Sequence, residues 1–252
     1  MKITNKKIAS KKSSTAWLLR QAKDPYVARA QKEGYRARAA YKLIEINEKF
    51  RFLKNGQVVV DLGAAPGSWS QYIAREFPKS CVIAMDLLAI KPIPGVEFYQ
   101  GDFTTDEALC WLCRQCGMRS VECGVGPRGQ PSATNGVSDN ADEFPHVPTT
   151  HSRNNVIDVV LSDMAPNTVG HQKTDHLRQM TLLEYAWDFA RQTLKPGGTF
   201  VAKSFTGGTT GDLLADIKKH FEKVAHIKPA ASRKDSVEMF IVGIGFKGES
   251  VS

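Results

Sequence analysis

Residues 57–72 read QVVVDLGAAPGSWSQY. Val58, Val59 and Val60 form an apolar run that predicts a short strand buried on both faces, as in a parallel sheet. The run ends on Asp61 and passes at once into a glycine-rich turn and a helical pattern over residues 68–77. Gly63 and Gly67 allow positive φ and a close backbone approach to a ligand, and the free N–H groups at the start of the next helix favour electron-rich ligand atoms. Strand, glycine turn and helix in that order predict a nucleotide pocket. The two glycines stand four residues apart with Pro66 between them, which departs from G-x-G-x-x-G and points away from NAD.

Outward from this stretch, residues 81–85 and 96–100 predict the second and third strands. Each of the first three strands is followed by an acid: Asp61, Asp86 and Asp102. A carboxylate at the carboxyl end of a second strand can accept both hydroxyls of a ribose. Asp102 is placed to accept from an adenine amino group. An isolated Asp at a strand end is ordinarily a turn or helix cap, but three in register with a glycine turn favour a ligand. Upstream, residues 37–50 carry apolar side chains at helical spacing and bring Lys42 close to the first strand, while Asp24-Pro25 reads as a turn after a weak helix at 15–23.

Downstream, residues 105–116 predict a helix and 156–161 a fourth strand, followed by SDMAPN. A long helix at 174–194 stops at Lys195-Pro196-Gly197-Gly198 and feeds a strand at 199–203. A flexible loop at 207–211, a helix at 213–221 and strands at 223–228 and 237–243 complete the pattern. Strands alternating with helices in this way predict a doubly wound α/β sheet.

The chain has 252 residues, 42% of them hydrophobic, enough for one large core. Its net charge is +8, and residues 1–54 carry 15 Lys and Arg against 4 Asp and Glu, leaving 19 against 22 in the remainder. All the excess therefore lies at the N-terminus. Tyr26, Tyr35 and Tyr41 alternate there with Arg29, Arg36 and Arg38, which predicts stacking faces beside phosphate-binding charge in a nucleic-acid-binding arm at 1–36. No apolar run approaches ~18 residues, so no membrane span is expected. The basic start lacks an apolar signal core, and its Lys-rich, Arg-free composition argues against a mitochondrial presequence, so the expected location is cytoplasmic.

Residues 117–154 are rich in Gly, Ser, Thr, Asn and Pro without periodicity and predict a disordered insertion. Cys110, Cys113 and Cys116 precede it and Cys123 lies within it, a spacing that raises a metal site. Cys110 and Cys113 fall one helical turn apart, and the set matches no zinc or iron–sulfur signature. Reduced packing thiols and no metal are the expectation.

Five blocks occur in order: Arg38-Ala39-Ala40-Tyr41-Lys42-Leu43, DLGAAPGSWSQ, SDMAPN, GGTFVAKSF and SRKDSVEMFIV. Together they resemble the FtsJ/RrmJ-type ribosomal RNA ribose 2′-O-methyltransferases. The resemblance runs from the basic arm to about residue 247, with the methyltransferase domain at 37–247 and the 117–154 insertion as the departure. Ser68 also stands where a second glycine often follows the Ala-Pro-Gly. The resemblance implies the S-adenosylmethionine-dependent methyltransferase fold, Rossmann-like, with seven strands and the last antiparallel. It places a catalytic set on Lys42, Asp163, Lys203 and Glu238, and cofactor contacts on Gly67, Trp69, Asp86, Asp102 and Asp163. The implied partner is large-subunit (23S) ribosomal RNA, methylated at a uridine ribose on the assembled subunit by a monomer, with no DNA and no membrane partner. A family relative acting on transfer RNA or another RNA is the alternative.

The chemistry is consistent with those residue types. A ribose hydroxyl is a very weak acid and needs a base and alignment to attack a methyl group. A lysine of pKa ~10.4 serves as a base only if its environment lowers that value, and a second ammonium, Lys42 beside Lys203, is expected to do so. Asp163 is expected to orient the base, and Glu238 to hold Lys42 or the ribose. Base-directed methylation is disfavoured because Ala165-Pro166-Asn167 lacks the aromatic that clamps a flipped base. A non-catalytic RNA-binding module has no reason to keep the four charged residues together.

Overall fold

The structure is a computed structural model and describes residues 24–116, 156–166, 171–205, 211–233 and 235–248. The helix expected at 15–23, the insertion at 117–154 and nearly all of the loop at 207–211 lie outside the described residues.

Thirteen elements follow one another: α1 (Pro25–Glu33), α2 (Ala40–Phe50), β1 (Val58–Leu62), α3 (Ser68–Glu76), β2 (Cys81–Asp86), β3 (Val96–Gln100), α4 (Asp106–Gln115), β4 (Ile157–Ser162), α5 (Gln172–Thr193), β5 (Leu194–Phe205), α6 (Gly211–His220), β6 (Phe221–Ile227) and β7 (Glu238–Phe246). The strands form one seven-stranded sheet in the order β3-β2-β1-β4-β5-β7-β6. Strands β1 to β5 pair in parallel, whereas β7 inserts antiparallel between β5 and β6. The expected doubly wound α/β sheet with an antiparallel last strand is the observed fold.

Side chains alternate between the faces of each strand. On one face Val59, Val159, Leu161, Val201, Phe240 and Val242 pack against Leu43 and Ile46 of α2 and Trp69 and Ile73 of α3. On the other, Val60, Leu62, Val160, Phe200 and Ile241 meet Leu112 of α4, Trp187 of α5 and Ile217 of α6. The first face decides where the chemistry lies, because its apolar rows turn charged as the strands end. Val59 is followed by Asp61, Leu161 by Asp163, Val201 by Lys203, and the antiparallel row Val242–Phe240 reaches Glu238. Lys42 precedes the buried Leu43 on the helix covering that face.

Two local expectations are corrected. Asp24-Pro25 is the start of a helix, not a free turn: Asp24 caps it by accepting Tyr26 N–H at 3.1 Å, Pro25 fills the first helical position, and Gly34 ends it at φ 73°. Lys195-Pro196-Gly197-Gly198 falls inside β5, yet the pairing skips from Ile157↔Leu194 to Val159↔Thr199, so these four residues bulge opposite Asp158. Lys195 anchors the bulge on Asp158 at 2.5 Å.

The arm expected at 1–36 is described from residue 24 onward, and there the expectation of open stacking faces is corrected. Residues 24–36 are docked on the domain, and their tyrosines are not open stacking faces. Tyr26 and Tyr35 pack on Tyr41, with ring centroids 5.5 and 5.8 Å away. Arg29 pairs with Glu33 at 2.7 Å and lies over the Tyr41 ring. Arg38 donates to the Asp24 carboxylate and the Ala231 carbonyl.

Candidate active site

Gly63 and Gly67 take φ of +71° and +93°. The turn needs glycine at both positions for this conformation, and a Cβ on Gly63 would also run into Met164 Cγ. Arg36, expected to bind phosphate, instead locks this turn by donating to the carbonyls of Pro66, Lys91 and Pro92 at 3.1, 2.6 and 2.6 Å. At the start of α3, Ser70 N–H donates to Asp61 Oδ2 at 3.1 Å. The N–H groups of Ser68 and Trp69 precede the first intrahelical bonds and stay available to a ligand.

Asp86 accepts Ala65 N–H at 2.8 Å on Oδ2 and Leu88 N–H at 2.7 Å on Oδ1, which fixes the carboxylate beside the turn. Each oxygen keeps a second acceptor position. Asp102 uses Oδ1 for both the N–H and the hydroxyl of Thr104, at 2.9 and 2.7 Å, in a turn that holds it at the end of β3. Leu87 and Leu88 next to Asp86 are exposed and give this edge an apolar surface. Free N–H groups, two fixed carboxylates and apolar side chains together fit an adenosine-bearing ligand. Trp69 is placed differently from a cofactor contact. Its ring is buried against Phe240, and its Nε1–H donates to Ala39 O at 2.7 Å, three residues before Lys42. It offers the turn only its backbone N–H.

Lys42, Asp163, Lys203 and Glu238 meet at the carboxyl edge of the sheet. Lys203 Nζ lies 2.6 Å from Asp163 Oδ1 and 3.5 Å from Glu238 Oε2, and it donates to the Asp163 carbonyl at 2.9 Å. Lys42 Nζ lies 2.9 Å from Glu238 Oε2 and 3.3 Å from Asp163 Oδ2. Two carboxylates thus stand between two ammoniums. Burial works against the charged form of Lys203, but Asp163 and Glu238 outweigh it and hold its pKa above the ordinary lysine value. The expectation that Lys42 lowers it is corrected: the intervening carboxylates reverse the sign. Burial likewise favours a neutral Glu238, yet Lys42, Lys203 and the Ser232 hydroxyl keep it below the usual carboxylate range.

A cavity of about 430 Å³ adjoins the cluster on the side of Lys42 and Glu238, with Arg38, Arg233, Asp235 and Ser236 also lining it. Lys42 and Glu238 thus face this cavity, while Asp163 is followed by Met164, whose side chain packs on Gly63 of the glycine turn. Two supports have no signature in sequence. Ser232 Oγ donates to Glu238 Oε1 at 2.7 Å, and Gln179 Nε2, buried on α5, donates to the carbonyls of Met164 and Lys203 at 3.3 and 3.1 Å. Hydroxyls and amides are too common for spacing to single them out.

Asp61, already marked in sequence at the end of the first strand, is a further buried support. It is 1% exposed, and burial pushes its carboxyl up to about 7 despite two hydrogen bonds from Ser70. Its folded value lies above the unfolded ~3.9. The folded protein therefore holds a proton the unfolded chain has lost, and stability falls as pH rises from about 4 through 7. Asp61→Asn, which keeps an acceptor for Ser70 without the charge, is expected to remove this fall. Melting curves at pH 5 and 8 check it; a parallel drop in both proteins rejects the assignment.

Among the described residues no group of three His, Cys, Asp or Glu is arranged to hold a metal. Cys81, Cys113 and Cys116 are free thiols, and burial, with Cys81 and Cys113 nearby, pushes Cys116 up to about 12. Cys110 is disulfide-bonded, which departs from the expected set of reduced thiols. Cys123 lies outside the described residues. Among those residues no helix is long and apolar enough to cross a membrane.

Comparison with known proteins places the chain among methyltransferases. A curated relative from Novosphingobium aromaticivorans, a ribosomal RNA large subunit methyltransferase E, is 48% identical over 236 residues, covering 94% of this chain and 90% of the relative. A protein of the same description from Xanthobacter autotrophicus is 47% identical over 242 residues, covering 94% and 81%. A crystal structure described as a ribosomal RNA methyltransferase from Plasmodium falciparum superposes with a TM-score of 0.64 at 29% identity, covering 85% of this chain and 100% of that one. With residues 35–246 matching the family model of the FtsJ-like methyltransferases, the chain belongs to that family.

Proposed function

We propose that this protein methylates the 2′-hydroxyl of a uridine ribose in large-subunit (23S) ribosomal RNA, on the assembled subunit, with S-adenosylmethionine as donor. The observation that carries the reading is the Lys42–Asp163–Lys203–Glu238 cluster beside the cavity. The relatives' descriptions support the RNA class. Residues 1–23, with seven Lys and Arg and no acid, are proposed as the RNA-binding arm, and the enzyme works as a cytoplasmic monomer.

S-adenosylmethionine, when bound, supplies a methyl group on a positively charged sulfur. The N–H groups of Ser68 and Trp69, the Gly67 turn, Asp86 and Asp102 would hold it, with Asp163 beside it. On the other side the target ribose enters from the cavity and sets its 2′-oxygen against Lys203. Lys203 takes the hydroxyl proton, aligned by its bonds to the Asp163 carboxylate and carbonyl. Glu238, fixed by Ser232, holds Lys42 in place, and Lys42 keeps the pair of carboxylates neutralised. Lys203 starts each turnover as an ammonium, so its reactive unprotonated fraction is small at pH 7 and grows tenfold per pH unit.

The test is transfer of labelled methyl to intact large subunits, stripped large-subunit RNA and transfer RNA, with the product mapped as an alkali-resistant ribose. Label at one uridine ribose of the intact subunit is expected. Label on a base overturns the ribose assignment, and label confined to transfer RNA selects the other substrate class.

A further inference from the structure

Helix α5 covers its face of the sheet with a stripe of Leu183, Ala186, Trp187 and Ala190, spaced along one side of the helix and all buried. Gln179 continues that stripe four residues before Leu183, where an apolar side chain is the ordinary occupant. It is 2% exposed. A buried amide must find partners, and its Nε2 donates to the Lys203 carbonyl at 3.1 Å and the Met164 carbonyl at 3.3 Å. Two carbonyls can be met only by the amino end, so these neighbours settle which way the amide points.

Both carbonyls lie just past the end of a strand pairing. Strands β4 and β5 pair through Ser162↔Ala202, and β4 ends at Ser162. In that register the next pair is Asp163 and Lys203, the two residues on which the proposed chemistry turns. Beyond the last pair the ladder no longer fixes the two backbones. Gln179 bridges them instead, because one nitrogen joins the carbonyl of Lys203 to that of the residue after Asp163. Side-chain bonds then complete the contact, from Lys203 Nζ to Asp163 Oδ1 at 2.6 Å and to the Asp163 carbonyl at 2.9 Å. A change in strand separation at this point passes directly into those distances.

We propose that Gln179 is a positioning residue for methyl transfer: its amide supplies the rung that the sheet omits after Ser162↔Ala202 and thereby sets where Lys203 stands relative to Asp163. The inference rests on the proposed ribose methylation with Lys203 as base and adds the group that holds the base in register. Gln179 acts through the two strand ends and not on the reacting atoms.

Gln179→Met and Gln179→Ala both remove the donors, the first with an unbranched side chain of similar length and the second with the best helix former. Leu183→Ala, one turn further along the same stripe, is the control for a loosened α5 that leaves the bridge in place. In protein labelled at lysine Cε, the Lys203 signal, assigned by its loss in Lys203→Arg, follows the titration of that amine without turnover. Burial acts to lower its pKa and Asp163 is the first charge to oppose it, so a looser contact is expected to let Lys203 titrate at a lower pH in both Gln179 variants than in wild type. Lys42 and Glu238, the other charged groups of the cluster, are the same in all of these proteins. The single-turnover rate per unprotonated Lys203 is expected to fall by about tenfold or more, within the ~100-fold that a misplacement of ~1 Å can cost. S-adenosylmethionine affinity is expected to stay within about threefold. Leu183→Ala is expected to lower the melting temperature and leave both the titration and the rate as in wild type. A wild-type titration in both Gln179 variants overturns the inference, as does an unchanged rate per unprotonated Lys203 or a shift that Leu183→Ala reproduces in full. Wild-type protein that transfers no methyl to RNA overturns the proposed function instead, and the titration then decides the inference by itself.

Discussion

Lys203→Ala is expected to lower the single-turnover rate of methyl transfer by at least ~100-fold, the lower end of what a positioned base contributes, with S-adenosylmethionine affinity little changed. Lys203 is 6% exposed, and among the described residues its ammonium meets the Asp163 and Glu238 carboxylates and the Asp163 carbonyl, which fix it in place. Lys203→Arg is expected to fail as well. Arginine retains the charge, but its pKa above about 12 prevents it from accepting a proton. The raised pKa of Lys203 adds a third readout: the wild-type rate is expected to climb tenfold per pH unit from pH 7 to 9, still short of a plateau. A near wild-type rate in Lys203→Arg, or a rate independent of pH over that range, would show that Lys203 positions the ribose as a cation.

Much of this site was legible before the fold, for a physical reason. The strands that reach it are buried on both faces, so their sequences are apolar runs, and a charge at the end of such a run stands out: Asp61, Asp163 and Lys203 all follow valine or leucine rows. The glycines of the turn were legible because both positions take a positive φ that other residues rarely adopt. What sequence did not convey was sign. Asp163 was expected to orient the base and Glu238 to hold Lys42 or the ribose, but Lys42 and Lys203 read as neighbouring ammoniums, and only the packing of α2 over the sheet showed both carboxylates meeting both of them. Arg29, Arg36 and Arg38 read as free positive charge, although each is bound to a carboxylate or carbonyl distant from it by up to 193 residues in sequence. Asp24-Pro25 read as a turn because a turn and a helix N-cap begin with the same two residues; the cap is distinguished by Gly34, one helix length later. Gln179 and Ser232 act through single hydrogen bonds to distant groups, and nothing local distinguishes them from any other amide or hydroxyl.

Asp163→Asn tests the electrostatic balance of the cluster more directly than removal of the base. Burial is the largest influence on Lys203 and acts to lower its pKa; Asp163 is the first of the charges that oppose it. With an amide there, two buried ammoniums share Glu238 alone, and the Lys203 pKa is expected to fall. The rate should then level off at a lower pH than in wild type, at a plateau at least ~10-fold lower because the base is weaker and less well aligned. Breaking one side of a buried ion cluster costs roughly 3 to 5 kcal/mol, which corresponds to a melting temperature lower by about 6 to 20 °C for a domain of this size. The sign of the pH dependence follows from the direction of the shift. A lysine whose folded pKa is raised adds stability that is fully present below its unfolded value, ~10.4, and is lost as pH rises through the folded value. The gap between wild type and Asp163→Asn is therefore expected to be widest near neutral pH and to narrow above about pH 10. Glu238, whose folded pKa is depressed, contributes stability lost only as pH falls below the ordinary carboxylate range. It retains Lys42 in the variant and should leave the acid limb in place. Melting temperatures of both proteins from pH 5 to 11 check this, and a gap that stays constant through the alkaline range would mean that Asp163 supports the fold without holding the charge of Lys203.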